Sequence, residues 1–194
     1  ESDGLTAYRA LPMVVVLPEN TGQVSRVLAY CHREGIKVVP RGAGTSLSGG
    51  ALPLTDGVLL GMAKFNRIRE IDFDNRVVVA EPGVTNQAVT QAVEHAGFYY
   101  APDPSSQIAC TIGGNVAENS GGVHCLKYGM TTNNVLGCEL VLMSGEVLRI
   151  DPRTGARTVL AKLEPGLDNL TFSGARLFVS HLTDGRITEV LGDG

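Results

Sequence analysis

The chain is 194 residues long, 43% hydrophobic and 19% charged, the proportions of a soluble globular protein able to bury a core. Its formal net charge is −4 and its Lys and Arg residues are scattered, which excludes the basic face that nucleic-acid binding needs. Twenty-four glycines stand against 5% aromatics and no tryptophan, so many backbone positions are expected to need special dihedrals or close approach to a partner.

In chain order, Met13 to Leu17 predicts a buried strand closed by Pro18. This run is far short of the ~20 apolar residues of a membrane span, and it lacks the basic flank of a signal peptide. Thr21 starts a predicted helix with Val24, Val27, Leu28 and Cys31 on one face and Gly35 at its end. Ile36 to Val39 and Val58 to Met62 predict further strands. Arg67 to Phe73 and Arg76 to Ala80 predict a hairpin about Asp74-Asn75. Thr85 is a candidate N-cap for a second helix bearing Ala88, Val89, Ala92 and Val93, closed by Gly97. Ala101 to Gly129 reads as a long stretch punctuated by Gly and Pro. Val135 to Met143 and Glu146 to Ile150 then predict strands joined at Ser144-Gly145. Helices and hairpins mix without strict alternation, which predicts an α+β fold and argues against a Rossmann unit. After Ile150 the residues predict short strands broken at Thr154-Gly155, Ser173-Gly174 and Asp184-Gly185, so a boundary is placed there: 1–150 and a 151–194 β-meander.

The cysteines Cys31, Cys110, Cys125 and Cys138 form no C-x-x-C pair and match no metal-ligand spacing with His124, so reduced thiols in a cytoplasmic protein and no metal are expected. The first residue is Glu1 and not Met, which is read as a processed chain or a piece of a longer one.

Three segments concentrate the chemistry. PRGAGTSLSGG, residues 40–50, can fold into a concave nest of inward N–H groups, or serve as a flexible linker. APDPSSQIACTIGGNVAENSGG, residues 101–122, offers Gly113-Gly114 for close approach and the amides of Asn115 and Asn119, or is an Ω-loop. HCLKYG, residues 124–129, is the third. His124 reads as structural or as an edge residue of a ligand site. His32 and His95 read as solvated, Asp72-Phe73-Asp74 as a turn-flanking pair and not a carboxylate dyad, and Tyr99-Tyr100 as core-filling aromatics.

Together these motifs, with DGLTAYRALP and HCLKYGMTTNNVLG, resemble the FAD-binding domain of the vanillyl-alcohol-oxidase or p-cresol-methylhydroxylase type. The likeness runs from about Ser2 to Arg149 and is greatest toward the flavoprotein subunits of bacterial glycolate oxidases, with D-lactate dehydrogenases as near relatives. The resemblance implies a two-subdomain α+β FAD-binding fold. It places pyrophosphate oxygens at Arg41, Gly42, Gly44, Thr45 and Ser46. It places the flavin and ribityl chain along Pro102, Asp103, Ser105, Gly113, Gly114, Asn115, Asn119, Ser120 and Gly121. Thr45 stands where some relatives carry the histidine that attaches flavin covalently, which implies dissociable FAD.

By the same resemblance the activity is oxidation of glycolate or a related 2-hydroxy acid such as D-lactate. A second flavin subunit and an iron-sulfur subunit are the implied partners, and the implied location is cytoplasmic or peripheral at the inner membrane through those partners. The family's cap domain and an S-E-G-T-L-G-like segment are not found after Arg149, so a non-catalytic FAD-binding module, truncated or chimaeric, is the alternative. There DPRTGARTVLAKL and RLFVSHLTDG resemble a blade of a sugar-lactonase-like β-propeller.

Overall fold

The computed structural model describes residues 1–151, 154–161, 170–173, 176–180 and 187–190. The chain divides into two compact units, one of Glu1–Glu19 with Lys37–Asn134 and one of Asn20–Ile36 with Val135–Gly194. The secondary structure mixes helices with small parallel and antiparallel sheets, an α+β fold.

In the first unit, β1 (Val14–Val16), β2 (Lys37–Arg41) and β3 (Gly57–Gly61) form a parallel sheet of order β1-β3-β2. The middle strand β3 is buried throughout, as a strand paired on both sides and rich in Val and Leu should be. β1 corrects the expectation of a buried strand: Val14 and Val15 are 45% and 49% exposed, because β1 lies at the sheet edge. β2 runs two residues further than predicted, through Pro40 to Arg41. An edge strand tolerates the missing proline N–H, and the glycine loop proper therefore begins at Gly42.

β4 (Ile68–Asp72) and β5 (Val77–Ala80) are the predicted hairpin. Asp72 closes its turn by accepting from the Asn75 amide at 2.9 Å and from Asn75 Nδ2 at 2.7 Å. These bonds, the side-chain one foremost, hold its carboxyl below the usual carboxylate range. At the end of the hairpin Glu81 is buried and accepts from the Arg67 amide at 2.7 Å, with the Arg67 and Arg69 guanidiniums around it. Burial pushes its pKa up, but the Arg67 amide, Arg69 and Arg67 together outweigh it and hold the acid below its ordinary value. A depressed folded-state pKa contributes stability that is present above the unfolded carboxylate value and is lost as pH falls through the folded one. Glu81→Gln is therefore expected to lower the melting temperature at pH 7 and to flatten the acid limb of the stability profile below about pH 4.5. A melting series from pH 7 to pH 3 that gave parallel curves for the two proteins would contradict this.

Thr85 caps α2 (Asn86–Val93), its hydroxyl accepting from Ala88 N at 3.3 Å, and the helix ends through a 3-10 turn at Gly97 as predicted. Between residues 101 and 129 the structure adds two helices where the sequence suggests only a punctuated stretch: α3 (Ile112–Glu118) and α4 (Cys125–Tyr128). Gly113 sits inside α3 because a Cβ there would come within 2.7 Å of Pro82, whose carbonyl accepts from Gly113 N at 2.8 Å. The glycine serves packing, and it hid the helix from a propensity reading.

In the second unit, α1 (Thr21–Arg33) is capped by Asn20, whose Oδ1 accepts from Gln23 N at 3.0 Å. Its inner face is Val24, Ser25, Leu28 and Cys31, with Val27 half-buried. Ser25 Oγ donates to Gly145 O at 2.6 Å in a buried bond, and Thr21 Oγ1 donates to Glu139 Oε1 at 2.6 Å. β6 (Cys138–Val141), β7 (Val147–Ile150) and β8 (Arg157–Ala161) form an antiparallel meander in which Leu148 faces Val159. Leu142 and Leu148 make its small core with Leu140 and Ile150. β9 (Leu170–Ser173), β10 (Arg176–Ser180) and β11 (Ile187–Val190) pair antiparallel in the order β11-β10-β9. Gly174, the Asp184-Gly185 turn and part of the segments likened to a propeller blade lie outside the described residues. Among the described residues no helix is long and apolar enough to cross a membrane.

Candidate functional site

The glycine loop leaves β2 at Gly42 and returns at Ala51. Gly44 has φ +71°, a left-handed conformation that favours glycine, and its open side lies against the Arg41 guanidinium. Ser46 Oγ accepts from Ser48 N at 3.3 Å, and Ser46 O accepts from Gly4 N at 2.9 Å. Thr45 lies beside Gly4 through its carbonyl. Arg41 donates from Nη1 to Ala51 O at 2.6 Å and from Nη2 to Ser2 O at 2.7 Å.

The second wall is anchored by backbone pairing to the segment that leads into α2. Asn86 N donates to Cys110 O at 3.0 Å, Gln87 N to Gln107 O at 3.0 Å and Ile112 N to Val84 O at 2.8 Å. These bonds set Thr111, the N-cap residue of α3, against Gly42, where an added Cβ would overlap Thr111 Oγ1. N-cap threonines ordinarily accept from the first turn. The Thr111 hydroxyl does not cap α3, and its buried oxygen has no hydrogen-bond partner among the described residues.

Asn115 Nδ2 and Asn86 Oδ1 are the other two buried polar atoms without a partner among the described residues. An unpaired buried polar group costs roughly 1–3 kcal/mol, so each calls for a partner that the described residues do not supply. A cavity of about 390 Å³, within the range of small-molecule sites, is lined by Gly42, Ala43, Asn66, Thr85, Thr111 and neighbouring apolar groups. Among the described residues no ionisable side chain lines it. Its chemistry is binding through neutral donors and bare backbone, which suits phosphate and hydroxyl oxygens of a dinucleotide.

The remaining predicted residues sort into two kinds. Gly114 is half-buried, with Thr111 Oγ1 at 3.4 Å as the nearest neighbour of an added Cβ, and Ser105 is exposed. Others are occupied within the protein. Pro102 is held by Asn86 Nδ2, which donates to its carbonyl at 3.0 Å. Asn119, left-handed at the C-cap of α3, accepts through Oδ1 from Thr132 N at 3.1 Å and Thr132 Oγ1 at 2.9 Å. Ser120 O accepts from Thr131 Oγ1 at 2.6 Å, and Gly121 packs on Cys125 Sγ. Asp103 receives His124, whose N and Nδ1 lie at 3.2 Å and 2.9 Å from its two carboxyl oxygens.

Next to that pair stand Tyr99 and Tyr128, with ring centroids 6.2 Å and 6.3 Å from His124. Tyr99 OH donates to Tyr128 OH at 2.8 Å, and Lys127 Nζ lies 4.9 Å from the Tyr128 ring centroid. The donated bond and then Lys127 lower the Tyr128 pKa, while the same bond raises that of Tyr99. Tyr99 is 52% exposed, which corrects its reading as a core residue; Tyr100 is half-buried, and burial pushes its hydroxyl up.

Thr111 and Asn86 are the site residues that the motif reading passes over. A threonine directly before Ile-Gly-Gly-Asn-Val-Ala-Glu was a readable N-cap signal, but Asn86 shows itself only through its buried contact with Pro102.

The model of a family described as FAD binding domain matches residues 12–151. Glycolate oxidase subunit GlcD of Escherichia coli (strain K12) is 59% identical over 150 residues, which are 77% of this chain and 30% of that protein. The protein of the same name from Bacillus subtilis (strain 168) is 43% identical over 190 residues, 97% of this chain and 38% of its own length, a match that runs on into the tail. D-lactate dehydrogenase of Archaeoglobus fulgidus is 40% identical over 155 residues, covering 79% and 34% of the two chains. The chain thus spans about a third of the length of these curated relatives. Among solved structures, 6-hydroxy-D-nicotine oxidase from Arthrobacter nicotinovorans superposes with a TM-score of 0.66 at 23% identity, over 77% of this chain and 32% of that one, a likeness of fold.

Proposed function

We propose a function from one premise: the chain belongs to the family of the FAD binding domain, whose model spans residues 12–151. The chain binds FAD without a covalent bond. Backbone N–H groups of Gly42 to Ser46 and the side-chain donors of Thr111 and Asn115 meet pyrophosphate or ribityl oxygens. Pro102, Asp103, Ser105, Gly113 and Gly114, with Asn119, Ser120 and Gly121 as the frame behind them, border the flavin. The observation that carries this reading is the pair of unpartnered buried donors, Thr111 Oγ1 and Asn115 Nδ2, in the segment facing the glycine loop. Thr45, at the place where covalent relatives carry a histidine, leaves the flavin dissociable.

Bound FAD supplies a two-electron acceptor. The chain's own part is to bind through neutral donors, to hold Thr111 against Gly42 through the 82–87 and 107–113 pairing, and to exclude water from the cavity. The substrate class we propose for the whole protein is a 2-hydroxy acid, glycolate or D-lactate, which yields a hydride from carbon and a proton from its hydroxyl to give the 2-oxo acid. Further glycolate oxidase subunits are the proposed partners, at a cytoplasmic site or peripherally at the membrane through them. One observation favours a second reading, a binding module without catalysis: the cavity carries no ionisable side chain to take that proton.

Reconstitution with FAD followed by anaerobic addition of glycolate or D-lactate tests both. Bleaching of the flavin band supports the oxidase, and bound flavin that stays oxidised supports the module. Absence of bound flavin after reconstitution overturns the site itself, whereas flavin that stays with acid-precipitated protein overturns the dissociable state.

A further inference from the structure

We propose that Arg41 is a positioning residue that clamps the glycine loop from behind, and that it does not bind the anion the loop receives. The resemblance assigns this arginine to pyrophosphate, but the geometry spends its guanidinium inside the protein. Nη1 donates to Ala51 O at 2.6 Å, where the loop ends, and Nη2 donates to Ser2 O at 2.7 Å. The carboxylate of Glu1 lies 3.3 Å from Nη2, so the positive charge already has a counter-charge, and the side chain is only 13% exposed. The planar fork also forms the floor under Gly44, where any Cβ would overlap it.

The segment held by Nη2 grips the loop from its other side. Gly4 N donates to Ser46 O at 2.9 Å, and a Cβ at Gly4 would lie 2.6 Å from Thr45 O. One guanidinium therefore joins the loop's start, its floor, its exit and the segment that holds Thr45 and Ser46. The curvature that turns the amides of residues 42–46 toward an anion is set by this clamp, and two rigid, well-separated donors are what lysine lacks.

The clamp stands on the free protein's own contacts and rests on the FAD reading only for what the loop receives. The test compares Arg41→Lys and Arg41→Gln with the unaltered protein. It follows amide hydrogen exchange of the free protein by mass spectrometry, and FAD affinity at low and high salt. Both variants are expected to exchange residues 2–4 and 42–48 about tenfold faster while β3 keeps its protection. Both are expected to bind FAD about tenfold more weakly, the scale of losing one charge-assisted hydrogen bond, with the salt dependence of binding unchanged. Gly4→Ala, which presses on Thr45 O and leaves Arg41 intact, is expected to reproduce the loosened loop and the weaker binding, and covers the case of an Arg41 variant that does not fold.

Arg41→Lys with wild-type exchange and affinity, or Arg41→Gln with a reduced salt dependence, overturns the clamp and makes Arg41 a phosphate ligand. If even the unaltered protein binds no FAD, the proposed function fails, and the exchange pattern alone decides the clamp.

Discussion

Gly42→Ala is expected to weaken FAD binding by about two orders of magnitude, roughly 3 kcal/mol, while far-ultraviolet circular dichroism stays that of the parent. The added methyl overlaps Thr111 Oγ1, so Thr111 must turn and the loop amides must retreat from the opposite wall. A companion substitution separates ligand binding from folding. Thr111→Val keeps the shape and removes a hydroxyl that has no partner among the described residues. Removing an unsatisfied buried hydroxyl is close to neutral or stabilising for the free protein, whereas it removes a donor from the ligand. Thr111→Val should therefore melt no lower than the parent without flavin, yet bind FAD about tenfold more weakly. Titration of the free proteins with FAD, read by flavin fluorescence, measures both. Parent-like affinity in the two variants would remove this cavity from the binding site.

Gly122→Ala is expected to be the most damaging single methyl for stability. A Cβ at Gly122 would overlap both the backbone carbonyl and the carboxyl of Asp103, and backbone has little freedom to move aside. Gly122 N also donates to Cys125 Sγ at 3.0 Å, and Asp103 holds His124 through two contacts, so the displacement spreads to both partners. Overpacking of this kind costs about 3 kcal/mol, which for a chain of this size lowers the melting temperature by roughly 10 °C. A thermal melt within two or three degrees of the parent would show that Asp103 is free to shift.

The elements that could be read from sequence are those whose cause is local. Thr85 caps α2 with its own hydroxyl, Gly97 ends that helix, and Asp72 and Asn75 shape their hairpin turn within four residues. Two of the three motif segments, 40–50 and 101–122, contribute Gly42, Ala43, Ala109 and Thr111 to the lining of the cavity. What escaped had distant causes. α3 hid behind Gly113 because its reason is Pro82, on the facing segment. The bonds of Arg41 to carbonyls 10 and 39 residues away could not be read at all, because carbonyls leave no mark in a sequence. Asn119 reads as an amide donor in the sequence, and its Oδ1 is taken up by Thr132, 13 residues on. β1 looked buried because strand order, which put it at an edge, is a property of the sheet.

The buried bond from Ser25 to Gly145 joins residues 120 apart, across all of the Lys37–Asn134 stretch that belongs to the other unit. During synthesis at about 5–20 residues per second, α1 emerges on the order of ten seconds before β6 and β7 exist to receive it. An isolated helix of 13 residues is marginal in water, so for that interval Val24, Leu28 and Cys31 have no settled place to go. The chain must carry an uncommitted apolar segment through the making of the parallel sheet and the glycine loop. Chaperone dependence of its production should therefore track the delay between residues 33 and 138, and slow codons in that interval should raise the aggregated fraction.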